Sequence, residues 1–415
     1  MYITFVVVFI LLFAGRMLIA VASLRCVSSV NHDGCVSSYN LSSEYLGYTY
    51  EVLMWPADGH DAGQASFSVV TSASTTSTKV RARFPPGSAR CVIEFGAVRL
   101  DCGQTVDFTL LGAETATFTS TTADLSGTLV EASAPVAVYA ANSHVTIGPS
   151  NITDSTSEQL FPLSAWGREF VVAPVPDNGQ SGYSLRVTCA RSVNVSIDVA
   201  GVVHQLTRQR PLTVDFPDNR PAYVNVVDGS AVQLVQFVRG ATSPADGGAP
   251  AALVVPAVNR FNDVYSLTTS SGYVDYVSIV TRRTDVGGLR LNGQPLSVSS
   301  AWLNVDGRTD WVTAAVPLPA ATSHTLEHAG RQQFGAYSYG YVRGQCAYAQ
   351  PAGASLPRQV INSPVHCPRR PWSRGYDLHW HLCACLFICS FFLRTIYQKP
   401  TQLGSPNLCV CVWGT

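Results

Sequence analysis

Lysine is almost missing from this chain of 415 residues: Lys79 and Lys399 are the whole complement, and arginine supplies the rest of the 27 basic residues. Charge of either sign is scarce, at 13% of residues, and 27 acidic residues balance the basic ones. That balance leaves no electrostatic footprint for nucleic acid or for an anionic membrane surface. Long solvated helices are excluded as well, whereas 47% hydrophobic residues fit a β-rich fold with an uncharged surface. No P-loop or dinucleotide glycine fingerprint is present, because Val286-Gly287-Gly288 reads as a hairpin turn. Neither apolar run, Ile3 to Ala14 or Leu382 to Leu393, reaches the ~20 residues of a spanning helix. Nothing in the chain calls for a cofactor.

The length allows about two to four domains of ~100–200 residues. Residues 1–22 read as a signal peptide, with an apolar core and the small-x-small ending Ala20-Val21-Ala22 that a signal peptidase accepts. A basic n-region is missing and Arg16 interrupts the second half, so a membrane anchor is the alternative. The sequons at Asn40, Asn151 and Asn194 are candidate glycosylation sites and agree with passage through a secretory lumen. Six of the 12 cysteines, Cys26, Cys35, Cys91, Cys102, Cys189 and Cys346, precede the tail. An even number suits disulfides in an oxidising compartment.

Residues 23–43 form a short polar arm bracketed by Cys26 and Cys35. From Tyr45 onward the pattern turns to period two, as in Ala65 to Val70 and Lys79 to Phe84, the signature of antiparallel strands. The sharpest local reading is Cys91 to Cys102, where Gly96-Ala97 makes a two-residue loop. That register sets Phe95 against Val98, Glu94 against Arg99, Ile93 against Leu100 and Cys91 against Cys102. Directly opposed Cα atoms lie ~5.5 Å or less apart, so a Cys91–Cys102 bridge is predicted.

Similar patterns recur twice. Ser196 to Leu206 and Thr284 to Gly293 resemble Val92 to Leu100. A further strand follows each copy, at Thr105 to Leu110, Leu212 to Phe216 and Trp311 to Pro317. A strand pair closes each, at Gly127 to Tyr139, Ala222 to Val235 and His324 to Tyr337. A third of the span from 23 to 365 is close to the ~100 residues of a β-sandwich. The expected fold is therefore all-β, with three tandem related sandwich-like modules at residues 44–148, 159–242 and 251–356. A propeller or solenoid is the runner-up, although its repeats run at ~40–50 residues. The tail, 365–415, holds six cysteines beside the run Leu382 to Leu393. It breaks the pattern, and membrane attachment is expected only if that run is an anchor.

Gln159 to Pro176 is the seam of the chain: it puts Trp166-Gly167 and the charges of Arg168 and Glu169 ahead of the apolar run Phe170 to Pro176. Trp166 reads as a buried turn anchor before it reads as a ligand site. His379, His381, Cys383 and Cys385 are too closely spaced for an ordinary zinc module, so no metal site is assigned. Ala336-Tyr337-Ser338-Tyr339-Gly340 resembles a relaxed nucleophile elbow, with His324 and His328 nearby in sequence. It lacks the helix that an elbow needs. Asp306 to Asp310 reads as a polar turn.

From about Tyr45 to Leu356 the chain resembles the N-terminal domain of the IgGFc-binding protein family of secreted mucus and matrix proteins. Leu163 to Phe170, Ser133 to Tyr139, Leu253 to Pro256 and Phe334 to Gly353 carry the resemblance. It implies a secreted, extracellular, non-enzymatic protein that binds an extracellular glycoprotein, a mucin or an immunoglobulin-like partner. A structural spacer is the alternative reading, and a serine esterase acting through Ser338 is a second. The chain lacks the cysteine-rich assemblies of larger members, which puts covalent multimerisation in doubt. Trp166, Arg168, Trp302, Arg308 and Tyr337 are the candidate contacts, since Trp, Tyr and Arg dominate binding hot spots.

Overall fold

The computed structural model describes residues 5–357, except 14–15, 30–31, 57–62, 74, 88–90, 151, 178–180, 191–194, 208, 228, 244, 246 and 298–301. Side chains are described from residue 40 on, apart from 195–197 and 309. Asn151, Asn194 and the cysteine-rich tail lie outside the described residues.

Every regular element among them is a β-strand or a short 3-10 turn, so the all-β expectation holds. Strands β1 (Phe5–Phe13), β2 (Arg16–Ser29) and β3 (His32–Asn40) form an antiparallel sheet in which Cys26 stands opposite Cys35. The position expected for cleavage, before Ser23, falls within β2.

Three pairs of sheets follow, and the same strand order recurs in each. The second copy is the simplest. Its strands are β13 (Glu169–Val172), β14 (Tyr183–Cys189), β15 (Val195–Val199), β16 (Val202–Leu206), β17 (Leu212–Phe216), β18 (Ala222–Val226), β19 (Val232–Val238) and β20 (Ala251–Val254). They make the sheets β13-β18-β15-β16 and β17-β14-β19-β20.

The third copy has β21 (Val264–Thr268), β22 (Val274–Arg282), β23 (Leu289–Leu291), β24 (Gln294–Pro295), β25 (Leu303–Val305), β26 (Arg308–Leu318), β27 (Ser323–His328), β28 (Gly335–Val342) and β29 (Cys346–Pro351). It repeats the two sheets as β21-β27-β23-β24 and β26-β22-β28-β29, with β25 added at the edge beside β26.

In the first copy the strands numbered β4 to β12 are Gly47–Glu51, Ala65–Thr71, Ser77–Arg83, Val92–Phe95, Val98–Asp101, Thr105–Leu111, Thr115–Ser120, Leu129–Val145 and Asp154–Gln159. Here β11 serves both layers. Its first half pairs with β4 and β6, and after a bulge between Glu131 and Val136 its second half pairs with β5 and β12. The layers are therefore β4-β11-β6-β9 and β10-β5-β11-β12, the same order again.

This topology corrects the register of the expected repeat. The hairpin β7-β8 has no counterpart in the other copies: it is inserted between β6 and β9 and touches β10 through Thr119 and Glu94. The strand at Thr105 is the partner of β6, so Ser77–Arg83 with Thr105–Leu111 is the true equivalent of Val195–Val199 with Val202–Leu206. In the third copy Arg283–Gly288 is a 3-10 turn, and the hairpin turns at Asn292 and Gly293, both at positive φ. Alternating valine and threonine look alike in any strand, so composition alone could not fix which hairpins correspond. The strand Ala251–Val254, expected to open the third module, completes the second copy's sheet against β19.

The inserted hairpin has the predicted register, from Val92 against Asp101 to Phe95 against Val98, and the Cys91–Cys102 disulfide closes its base at a Cα separation of 5.7 Å. Two strands of this length are not stable alone. Its Phe95 stacks on Phe118 at 4.5 Å, and Phe118 stacks on Phe67 at 4.8 Å, which ties the insertion to the first core. Val98 is exposed beside the turn.

The cores follow from alternation. In β5, Ala65, Phe67, Val69 and Thr71 point inward while the residues between them are half-exposed. The first two cores also take in residues of the next copy: Trp166, Phe237 and Val254 join the first, and Trp311, Tyr337 and Tyr341 join the second. Apolar seams of this kind make the sandwiches rigid with respect to each other.

Candidate functional site

Each copy is preceded by a 3-10 turn, at Ser43–Tyr45, Leu163–Ala165 and Val258–Arg260. Leu46, Trp166 and Phe261 end these turns, and Gly47, Gly167 and Asn262 follow as lead-in residues. The lead-in residues bridge to Val136 of β11, Val232 of β19 and Phe334 just ahead of β28. Three residues further on, Tyr50 accepts the Gly47 N–H at 2.8 Å and donates to the Val136 carbonyl at 2.6 Å. Tyr265 repeats this with Asn262 N–H and the Phe334 carbonyl. Phe170 holds the position in the second copy, where Gly167 and Val232 exchange backbone hydrogen bonds directly. The repeated signal, a bulky apolar residue then Gly or Asn and an aromatic three later, went unread in the sequence because it is only five residues long.

Trp166 is buried, and its Nε1–H donates to the Phe161 carbonyl at 3.1 Å. Beside it Gly167 faces Ala257, so closely that an added Cβ would fall under 3.0 Å from the alanine Cβ. Gly47 meets Pro162 in the same way. The Trp-Gly step therefore packs one sandwich on the next.

The remaining candidate contacts separate into packing and surface. Tyr337 is buried and donates to the Val171 carbonyl at 2.9 Å, joining the third sandwich to the second. Trp302 is half-buried against the third core. Arg168 is exposed, and Arg308 is half-exposed.

Arg308 is the centre of a polar band crossing from the third sandwich to the second. Its guanidinium lies 4.3 Å from the Tyr223 ring centroid and donates to the Tyr223 oxygen at 2.7 Å. Tyr223 in turn donates to Glu169 at 3.0 Å, and Arg308 lies 3.5 Å from the same carboxylate. Burial, with Glu169 beside it, pushes the Tyr223 phenol up to about 12. Arg282 stacks on Trp311 at 4.0 Å and pairs with Asp310, while Arg220 bridges Asp218 and Asp306. Half-exposed arginines held over aromatic rings are pre-organised donors of the kind that dominates binding hot spots. Their exposed ion pairs add little stability.

The Ser338 constellation does not assemble. Ser338 is buried in β28, its oxygen 3.5 Å from Tyr348, which donates to Asp275 at 2.6 Å. His324 bonds Thr322 at 2.8 Å and His328 bonds the Asp285 carbonyl at 2.8 Å, so neither histidine reaches the serine. Cys189 and Cys346 are buried on different strands, and no disulfide joins them; Cys346 sulfur lies 3.5 Å from the Tyr273 hydroxyl. Asn40 is buried, its side-chain oxygen accepting from Tyr139 at 2.9 Å.

The family described as IgGFc binding protein matches residues 37–340. Human IgGFc-binding protein is 27% identical over 305 residues, which covers 68% of this chain and 5% of that protein. The chain thus spans a small fraction of the length of this relative. No solved structure matches.

Proposed function

The chain belongs to the IgGFc-binding protein family, and from that premise we propose that it is a secreted, non-enzymatic binding protein for a glycoprotein, mucin or immunoglobulin-like partner. In this reading residues 1–22 are removed as a signal peptide, and the modules at 44–148, 159–242 and 251–356 act as one rigid support, with Ala251–Val254 reassigned to the second. Recognition residues sit on such sheets and loops at no cost to the core. The observation that carries the reading is the Arg308 band, in which Arg308, Tyr223 and Glu169 are fixed to one another across two sandwiches. Buried Ser338, with no histidine on its oxygen, favours binding over catalysis.

The test is surface capture of the purified chain on immobilised IgG Fc and on mucin. Saturable binding is expected, weakened roughly tenfold by Arg308→Ala with no comparable loss of melting temperature. A chain that saturates on neither surface is a spacer.

A further inference from the structure

The first sandwich carries a groove that the proposed binding role does not yet use. It lies on the outer face of the layer β4-β11-β6-β9, has a volume of about 450 Å³, and is lined from β6, β9 and β11. The pairing places Thr49, Glu131, Arg81 and Asp107 in one cross-strand row, and Lys79 beside Thr109 in the next. Val80, Phe108 and Ala132, which alternate with these residues, turn to the core side of the layer.

Lys79 and Arg81 match Asp107 and Glu131 in the lining, and Arg83 beside it adds a further cation. Arg81 holds Asp107 through two bonds, Nε at 2.7 Å and Nη2 at 3.0 Å, and this arginine keeps the Asp107 carboxyl below its usual range. Arg83 pairs with Glu131. Both acids are thus taken up by arginines. One cation is left over, Lys79, whose backbone N–H donates to Ser133 at 2.9 Å while no acidic side chain among the described residues pairs with its ammonium. The second arginine nitrogen of the Arg81 fork, Nη1, is also outside the Asp107 pair.

Repetition supplies a control inside the molecule. At the positions equivalent to Lys79 and Arg81 the second sandwich has Ser196 and Asp198, and the third has Gly288 and Arg290. The paired cations therefore belong to the first sandwich alone. Fold maintenance does not require Lys79, because the other copies fold the same layer with Ser196 or Gly288 in its place.

The class of ligand follows from the shape and the donors. The groove is shallow and open, unlike the enclosed apolar pockets that take drug-like molecules. Strand β6, at the centre of the groove, is paired on both sides, to β11 and to β9, so an extended peptide could add as a strand only beyond β9, at the edge of the sheet, and not within the groove. What faces a ligand is side chains: an ammonium, a guanidinium edge and the hydroxyls of Thr109 and Ser133. Such a set suits a ring bearing hydroxyls and one anionic group. We propose that this groove binds an acidic sugar, a saccharide carrying a carboxylate or a sulfate ester, with Lys79 and Arg81 on the anion and Thr109 and Ser133 on ring hydroxyls. This rests on the reading of the chain as a glycoprotein-binding protein and names what it would recognise.

The experiment is calorimetric titration of the full chain with 3′-sialyllactose, with 6-sulfo-N-acetylglucosamine, with neutral lactose and with a tetraglutamate peptide, each to about 10 mM, a range that reaches weak affinities. One or both acidic sugars should saturate, and the pair distinguishes carboxylate from sulfate; lactose should give no signal. Added salt should weaken binding. Lys79→Ala should weaken it roughly tenfold, as loss of a charged hydrogen-bond donor does, and Lys79→Arg should keep most of it. No saturation by either acidic sugar, or an unchanged Lys79→Ala variant, overturns the assignment. So does tetraglutamate binding as tightly as the sugars, since that reduces the groove to an unselective cation. If the chain still captures Fc or mucin in that event, only the groove assignment falls; loss of capture on both surfaces removes the broader reading whatever the sugars do.

Discussion

Gly167→Ala tests the way the sandwiches are joined. The new Cβ would fall under 3.0 Å from the Ala257 Cβ, with Asn259 Oδ1 at 3.5 Å and the Ala257 Cα at 3.6 Å. A flexible side chain could swing away, but Ala257 Cβ is fixed to the backbone at the start of a 3-10 turn. Gly167 is no freer, because it exchanges backbone hydrogen bonds of 3.3 and 2.8 Å with Val232. Relief therefore requires the second and third sandwiches to separate along a seam packed by Trp311, Tyr337 and Tyr339. Overpacking of a close contact costs ~1–3 kcal/mol, and with both sides fixed the upper end, ~3 kcal/mol, is expected. Denaturant unfolding of the full chain measures it. Ala257→Gly alone should cost about 1 kcal/mol, and in that background Gly167→Ala should become cheap, giving a coupling of ~2 kcal/mol. An equal cost in both backgrounds, or a single variant that unfolds like the parent, would refute the contact.

Three further outcomes follow from the same geometry. Trp166→Ala should lose ~3–5 kcal/mol by leaving a cavity in the first core; a variant that unfolds like the parent but no longer captures its partner would instead make Trp166 a contact. Tyr50→Phe leaves the Gly47 N–H and Val136 carbonyl without their shared hydroxyl and should cost ~1–3 kcal/mol, whereas Phe170, which already lacks one, should lose less than that on changing to leucine; stability measured by urea unfolding ranks them. Burial holds the Glu158 carboxyl well above its ordinary value of 4.5, against a weaker downward pull from the Val254 N–H. The folded state thus binds a proton more tightly than the unfolded chain, so stability should fall as pH rises from about 4.5 toward the raised value. Glu158→Gln should flatten that slope, and an unchanged slope in unfolding curves taken between pH 4 and 8 would count against it.

The resemblance to the family was legible in Leu163 to Phe170 and in the closing tyrosines, because these residues make the lead-in turn and the seam. Period-two alternation fixed the strands, and opposed cysteines around Gly96-Ala97 fixed one hairpin and its disulfide. These are local properties, set by side-chain direction and turn chemistry within a dozen residues. Which hairpins correspond was not local. The repeat became plain only from hydrogen bonds between strands far apart in sequence, such as Gly47 with Val136, Gly167 with Val232 and Asn262 with Phe334. Surface and core residues of one type also look alike in sequence. Tyr337 and Arg308 were both candidate contacts, yet the first is sealed between two sandwiches and the second lies over Tyr223 in reach of solvent. Lys79 drew notice only for its rarity. Its unmatched charge emerged when the sheet placed Arg81 against Asp107 and Arg83 against Glu131. The sequence by itself determined strands, turns and one disulfide, since those need only neighbours along the chain; the tertiary structure decided the repeat register, the seams and the groove, since those depend on strands far apart in the sequence.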